Sequence, residues 1–183
     1  MPDLIDVAYF EMNMTTLGLK ASFTPPPDAL GVLISDASDW VQNYCQRQLL
    51  AGPVTDVIRL RNPHNRLILD QFPVNSLTSV TFDSDSGGQV VHDLTQIRTL
   101  PGGIIEWKNP INGPFRSDGM YTVVYNAGYA VVPSAVKRAT GLKVADLMSP
   151  LYRGATEREV NVVSDIEEKI IDLLEDYRRE RVG

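Results

Sequence analysis

From about residue 54 to about residue 126 the chain is a series of short runs rich in β-branched and aromatic residues, each closed by a turn cluster. Runs of that kind pair into a small antiparallel sheet or sandwich. This stretch constrains the fold most, because segments of helical period flank it on both sides. The runs are Val54–Leu60, Arg66–Leu69, Leu77–Phe82, Gly103–Trp107 and Tyr121–Tyr125. Asn62-Pro63-His64-Asn65, Asp83-Ser84-Asp85-Ser86-Gly87-Gly88 and the Asn109–Gly119 segment separate them, and Phe72-Pro73-Val74 bridges two of them.

The helical segments are read from spacing. Leu30, Leu33, Ile34, Ala37, Trp40, Val41, Tyr44 and Cys45 recur every three or four residues, which predicts one buried helix face over about 27–49. Pro25-Pro26-Pro27-Asp28 opens that helix, since proline suits a first turn, and Gly52-Pro53 is expected to end it. A second helix is predicted over about 134–149, opened by Pro133-Ser134 and carrying Val136, Ala139, Leu142, Val144, Ala145 and Leu147. A third is predicted over about 164–181, with Ser164 and Glu167 as a capping box and Ile166, Ile170, Leu173, Leu174 and Tyr177 as its apolar stripe. That stripe either completes the chain's own core or fills a partner's groove. Residues 1–23 have no convincing period and read as an N-terminal arm ordered against a neighbour.

The order of elements predicts an α+β fold. It has a helical core of N-proximal, central and C-terminal helices, with the antiparallel β region inserted between the first and second. The division expected is an arm over 1–27, a body over 28–149, and a linker with a C-terminal helical arm over 150–183.

Charge and residue chemistry narrow the function. The net charge of −6 disfavours tight non-specific binding to nucleic acid, which needs many cations on phosphates. It still allows the chain to form the wall of a passage through which DNA slides without sticking. No signal peptide or membrane-spanning run is read, so the expected compartment is the cytoplasm in which the chain is made. The single cysteine, Cys45, falls on a buried helix face and reads as a core residue. His64 and His92 lie in or beside loops, away from metal-ligand spacing. The Asp83–Gly87 run resembles the start of a calcium loop, but Leu94 occupies the position of the required glutamate, so it reads as a hairpin turn. Gly102-Gly103 also reads as a turn. No nucleophile elbow, Walker loop or dinucleotide fingerprint occurs, so neither an enzyme nor a bound cofactor or metal is expected. Lys108, Phe115 and Arg116 lie in or beside the Asn109–Gly119 loop, which reads as a basic tip for a channel or partner contact, or as a solvated loop.

Tyr121-Thr122-Val123-Val124-Tyr125-Asn126-Ala127-Gly128-Tyr129, followed by Val132-Pro133-Ser134-Ala135-Val136-Lys137-Arg138-Ala139, resembles the signature of the bacteriophage head–tail connector family, the adaptor or head-completion proteins of tailed phages. In that pattern a strand ends near a tyrosine, a glycine turns the chain, and a proline starts a helix. Trp40–Arg47 resembles the end of the family's opening helix, and Leu69–Val80 its strand, proline-valine, strand passage. Leu173–Arg179 resembles the family's C-terminal ending, except that Asp176 replaces a frequent proline, which would let the helix continue. The resemblance covers about residues 28–181. It implies a homo-oligomeric ring, a dodecamer, in the virion neck at the head–tail interface. The ring binds the portal protein, extends the DNA channel without sequence-specific contacts, and docks head-closure, stopper or tail proteins. Ile166, Ile170, Leu173, Leu174, Tyr177 and Arg178 are the residues expected to grip the portal. A different neck or tail protein, such as a stopper or tail terminator, and a β-rich host-binding module are the alternative readings.

Overall fold

The computed structural model describes residues 3–13, 26–109, 114–148 and 160–178. Among the described residues there are four α-helices and seven strands: α1 (Val7–Asn13), α2 (Pro27–Cys45), β1 (Gly52–Ile58), β2 (Arg66–Ile68), β3 (Val74–Ser84), β4 (Gln89–Val91), β5 (Ile97–Leu100), β6 (Ile104–Trp107), β7 (Gly119–Ala127), α3 (Ser134–Met148) and α4 (Val160–Leu174). The fold class is α+β, with every strand pairing antiparallel. The chain divides into a helical unit, residues 1–49 and 132–183, and a β unit, residues 50–131. Packing therefore groups the N-terminal segment and the C-terminal helix with the other helices, along different lines from the arm–body–arm division.

The β unit holds a four-stranded sheet in the order β1-β7-β3-β4 and a three-stranded sheet in the order β2-β6-β5. Their inner faces share one core. Val80, Phe82, Tyr121, Val123 and Tyr125 from the larger sheet meet Leu67, Ile97 and Ile105 from the smaller. β7 alternates between buried and half-exposed positions along most of its length, as a strand with one face on a core must. β3 is bulged against β7 between Val74 and Ser76 and between Leu77 and Ser79. The Phe72–Pro73 peptide is cis and sits in the loop that enters β3. Beneath that loop, the Tyr125 hydroxyl donates to Asp56 at 2.8 Å and accepts from the Gln71 amide at 2.9 Å. Asp56 also accepts from the Asp70 amide at 2.6 Å. The buried carboxylate thus has partners, which a buried charge requires. Burial and the Asp56 carboxylate push the Tyr125 hydroxyl well above its ordinary pKa.

The helical unit packs α2 on α3, α3 on α4 and α1 on α2. Leu30, Ile34 and Ala37 of α2, with Val144 and Met148 of α3, form a core that also takes in Ile5 and Phe10. The N-terminal segment is therefore packed within its own chain up to Asn13, which corrects the expectation of an arm ordered only against a neighbour. Its signal is local and short. The Asp6 carboxylate accepts from the Tyr9 amide at 2.6 Å, a helix N-cap. Ile5 before the cap and Phe10 four residues into the helix are both buried in one cluster, as in a hydrophobic staple. A helix of seven residues shows too few turns for its period to be read. The Leu4 amide donates to the Ser38 hydroxyl at 3.0 Å, which pins the segment to α2.

Other boundaries also differ from expectation. α2 stops at Cys45, and Gln46 adopts a left-handed conformation with φ 54°, its amide and that of Arg47 capping the Asn43 and Gln42 carbonyls. Gly52-Pro53 is not the helix stop but the start of β1. Two strands were not anticipated, β4 and β5. β4 is three residues long and exposed throughout, and β5 follows a 3-10 turn at Leu94–Gln96 capped by Asp93. α4 begins at Val160, so Ser164 falls inside the helix and not at its first position. α4 also gives way to a 3-10 turn at Glu175–Tyr177, so Asp176 does not carry an α-helix onward. The expected linker falls mainly on residues 149–159, and the last part of the expected helix on 179–181, outside the described residues.

Candidate functional site

The two sets of residues singled out in the sequence occupy different environments. In α4, Ile170 and Leu174 are fully buried, and α4 packs on α3. Ile166, Leu173 and Tyr177 are half-buried, and Arg178 is exposed. The end of this element is clasped onto α2 by two reciprocal contacts: the Arg178 guanidinium lies 5.5 Å from the Tyr44 ring centre, and the Arg47 guanidinium 6.0 Å from that of Tyr177. Both distances fall in the range of cation–π attraction. Tyr44 in turn stacks on Trp40 at 5.5 Å, and Lys143 lies 4.6 Å over Trp40. Val41, Gln42, Cys45 and Arg47 are buried and Trp40 and Tyr44 half-buried, so the aromatic-to-arginine stretch faces inward and holds α3 and the C-terminal turn. Cys45, at the centre of it, is inaccessible, and burial pushes its thiol up to about 11.

In the β unit, Phe115 is a core residue, which corrects its reading as part of an exposed tip. It stacks on Trp107 at 5.0 Å and meets Tyr121 edge-on at 5.4 Å. His92 lies against Trp107 and Tyr121, and Phe82 against Tyr121. Phe82, Phe115 and Tyr121 are each 1% exposed, so this aromatic cluster is interior. Phe115 is also tied to His64 by two backbone hydrogen bonds, of 2.8 and 3.1 Å. Arg116 is exposed, pairs with Asp118 and lies 5.1 Å over the Phe82 ring. Residues 110–113 of the loop lie outside the described residues.

Lys108 belongs to a second arrangement that sequence reasoning missed. Across the small sheet, Arg66 faces Glu106 and Glu106 faces Arg98. Arg66 Nε donates to Glu106 Oε2 at 2.7 Å, Arg98 Nε donates to Oε1 at 2.8 Å, and a second Arg98 nitrogen also donates to Oε1. These two guanidiniums hold the Glu106 carboxyl below the usual carboxylate range, Arg66 contributing most. Lys108, two residues along the same strand direction, donates from Nζ to the Thr95 carbonyl at 2.8 Å. Together with His64, Asn65 and Trp107 these residues line an open groove of about 360 Å³. The trio could not be assembled from the sequence because Arg98 lies on β5, a strand it did not reveal.

Among the described residues no group of three or more His, Cys, Asp or Glu side chains is placed to hold a metal ion. No described helix is long and apolar enough to cross a membrane. The features that stand out are surfaces: a charged sheet face and a helix end clasped by aromatic–cation pairs. In class the chain is an α+β protein whose β sandwich is inserted, in chain order, between helices. Residues 8–148 match the head completion protein family, and the chain belongs to that family. Among solved structures it is similar to a chain in the neck of an empty gene transfer agent particle computed with sixfold symmetry. That match has TM-score 0.69 and 18% identity, and covers 98% of this chain and 92% of the other. A chain from the virion of the native particle matches with TM-score 0.68, 18% identity and the same coverage. One from the native particle's neck, computed with twelvefold symmetry, matches with TM-score 0.60 and 16% identity, over 100% of this chain and 96% of the other. No curated protein matches the chain.

Proposed function

We propose that this chain is a head–tail adaptor: a structural protein that assembles as a ring, a dodecamer, in the virion neck, beneath the portal. There it extends the DNA channel and docks the head-closure or tail proteins. The observation that carries this reading is the family match over residues 8–148, which spans α1, both sheets and α3. The likeness to neck chains over nearly the full length supports it, and the symmetry of those particles supports a ring. The work of such a ring is mechanical and calls for no cofactor. The chain's net charge of −6 suits a conduit that must release DNA.

Within this reading the C-terminal helix has two jobs. Ile170 and Leu174 fasten it to its own helical unit, as their burial requires. The portal contact then falls to what remains accessible at its end, Arg178 foremost, with the half-buried Ile166, Leu173 and Tyr177 beside it. Lys108 and Arg116, both exposed, are the β-unit candidates for a channel or partner contact. Gold-labelled antibody against the chain tests the placement: label at the head–tail joint of intact particles is expected. Label at the tail tip or fibres would instead identify a host-binding protein. For the portal contact, Arg178→Ala should reduce capture by portal-bearing heads. Its effect on stability should be only the roughly 0.5–1 kcal/mol of an exposed cation–π pair.

A further inference from the structure

The groove over the small sheet carries three cations, Arg66, Arg98 and Lys108, against Glu106 in its lining and Asp93 close to Lys108, which leaves it positive on balance. Glu106 is the carboxylate shared by Arg66 and Arg98, and Lys108 adds a third cation to the lining. An arginine has five N–H donors in a planar fork suited to carboxylates. Glu106 takes one of these from Arg66 and two from Arg98. Both arginine side chains are more than half exposed, at 53% and 55%. The groove is therefore built to accept further carboxylates.

On its other unit the chain carries a surface that is acidic on balance, with Glu167, Glu168, Asp172, Glu175 and Asp176 exposed against Lys169 and Arg178. α4 turns Ile170 and Leu174 inward and leaves Glu168 and Asp172 exposed, with Glu175 and Asp176 exposed beyond them. Glu168 and Asp172 are one helical turn apart, about 6 Å along the axis. Arg66 and Arg98 flank β6 on either side, about 10 Å apart at the backbone from the usual strand spacing. Two long side chains reaching inward from that separation can meet two carboxylates spaced by one turn.

We propose that the Arg66–Arg98–Lys108 groove of one copy receives the carboxylate face of α4 from the next copy, so that neighbours in the ring join β unit to helical unit, head to tail. A contact between two different patches of the same chain is the kind that closes into a ring under rotational symmetry. The inference rests on the ring reading above and specifies its subunit contact.

Carbodiimide, which joins an amine directly to a carboxylate, tests it on necks assembled from an equal mixture of unlabelled and 15N-labelled full-length chain. The expected result is a cross-link from Lys108 to Glu168 or Asp172 in peptides of mixed isotope, lost in Lys108→Gln. Cross-links of that pair confined to like-isotope peptides would place the contact within one chain and overturn the proposal. So would necks in which other mixed-isotope cross-links form but this one does not. A Lys108 that becomes reactive only after nuclease treatment would give the groove to DNA, and would also overturn it. Failure of the chain to enter necks at all would instead count against the ring reading.

Discussion

Gly128 shows how one residue holds a junction together. It leaves β7 at φ +103°, and a Cβ placed there would meet the Leu50 carbonyl oxygen at 2.6 Å and the Ala51 nitrogen at 2.9 Å. The Ala51 amide donates to the Tyr129 carbonyl at 3.0 Å across the same point, so the backbone has little room to yield. Gly128→Ala combines a left-handed backbone with a main-chain clash, each of a kind that costs about 1–3 kcal/mol. Urea unfolding should show a loss of at least about 2 kcal/mol, and an unchanged midpoint would refute the close approach. His92 makes a different prediction. Burial lowers its pKa from the ordinary 6.5, and its Nε2 is buried without a hydrogen-bond partner among the described atoms. A depressed histidine binds its proton more readily when unfolded, so stability falls as pH drops below 6.5 towards the folded value. In His92→Phe the decline in thermal midpoint just below that pH should flatten. The steeper acid loss at lower pH, where Glu106 protonates, should remain, because a carboxyl with a lowered pKa contributes stability that disappears as pH falls through it.

At the scale of the element, α4 and the small sheet are the informative cases. Ile170 and Leu174 are both fully buried, so α4 belongs energetically to the helical unit. Ile170→Ala or Leu174→Ala should each cost about 2–5 kcal/mol, as large-to-small core changes do. A cost near zero would mean that α4 rests elsewhere in the free protein. Glu106→Gln should lower the thermal midpoint by leaving Arg66 and Arg98 facing each other, and added salt should recover part of the loss. Both elements also show where a sequence can be read and where it cannot. α2 and α3 were legible because their apolar positions repeat over several turns, and β7 because its burial alternates cleanly. The turn at Gly128 was legible because glycine alone accepts that backbone without strain. β4 was hidden because all three of its residues are exposed. Ser164–Glu167 misled because a capping pattern is only four residues long and recurs inside helices. Phe115 misled because a loop's sequence says nothing about which core lies beneath it. The Arg66–Glu106–Arg98 trio depends on register across three strands, which no local pattern carries.

At the scale of the whole molecule, the central claim is that this head completion family member closes the joint between a filled head and its tail. The helical unit, the β unit and the charged surfaces on each are the parts from which a ring contact and a portal contact would be made. A stable fold is needed for any function, so unfolding measurements leave that role untouched. The direct measurement is electron microscopy of a lysate from particles whose gene for this chain carries an early stop codon. The account predicts free tails beside tailless heads, many of them emptied of DNA, with wild-type particles restored by complementation. Complete tailed particles that fail only to infect would contradict it.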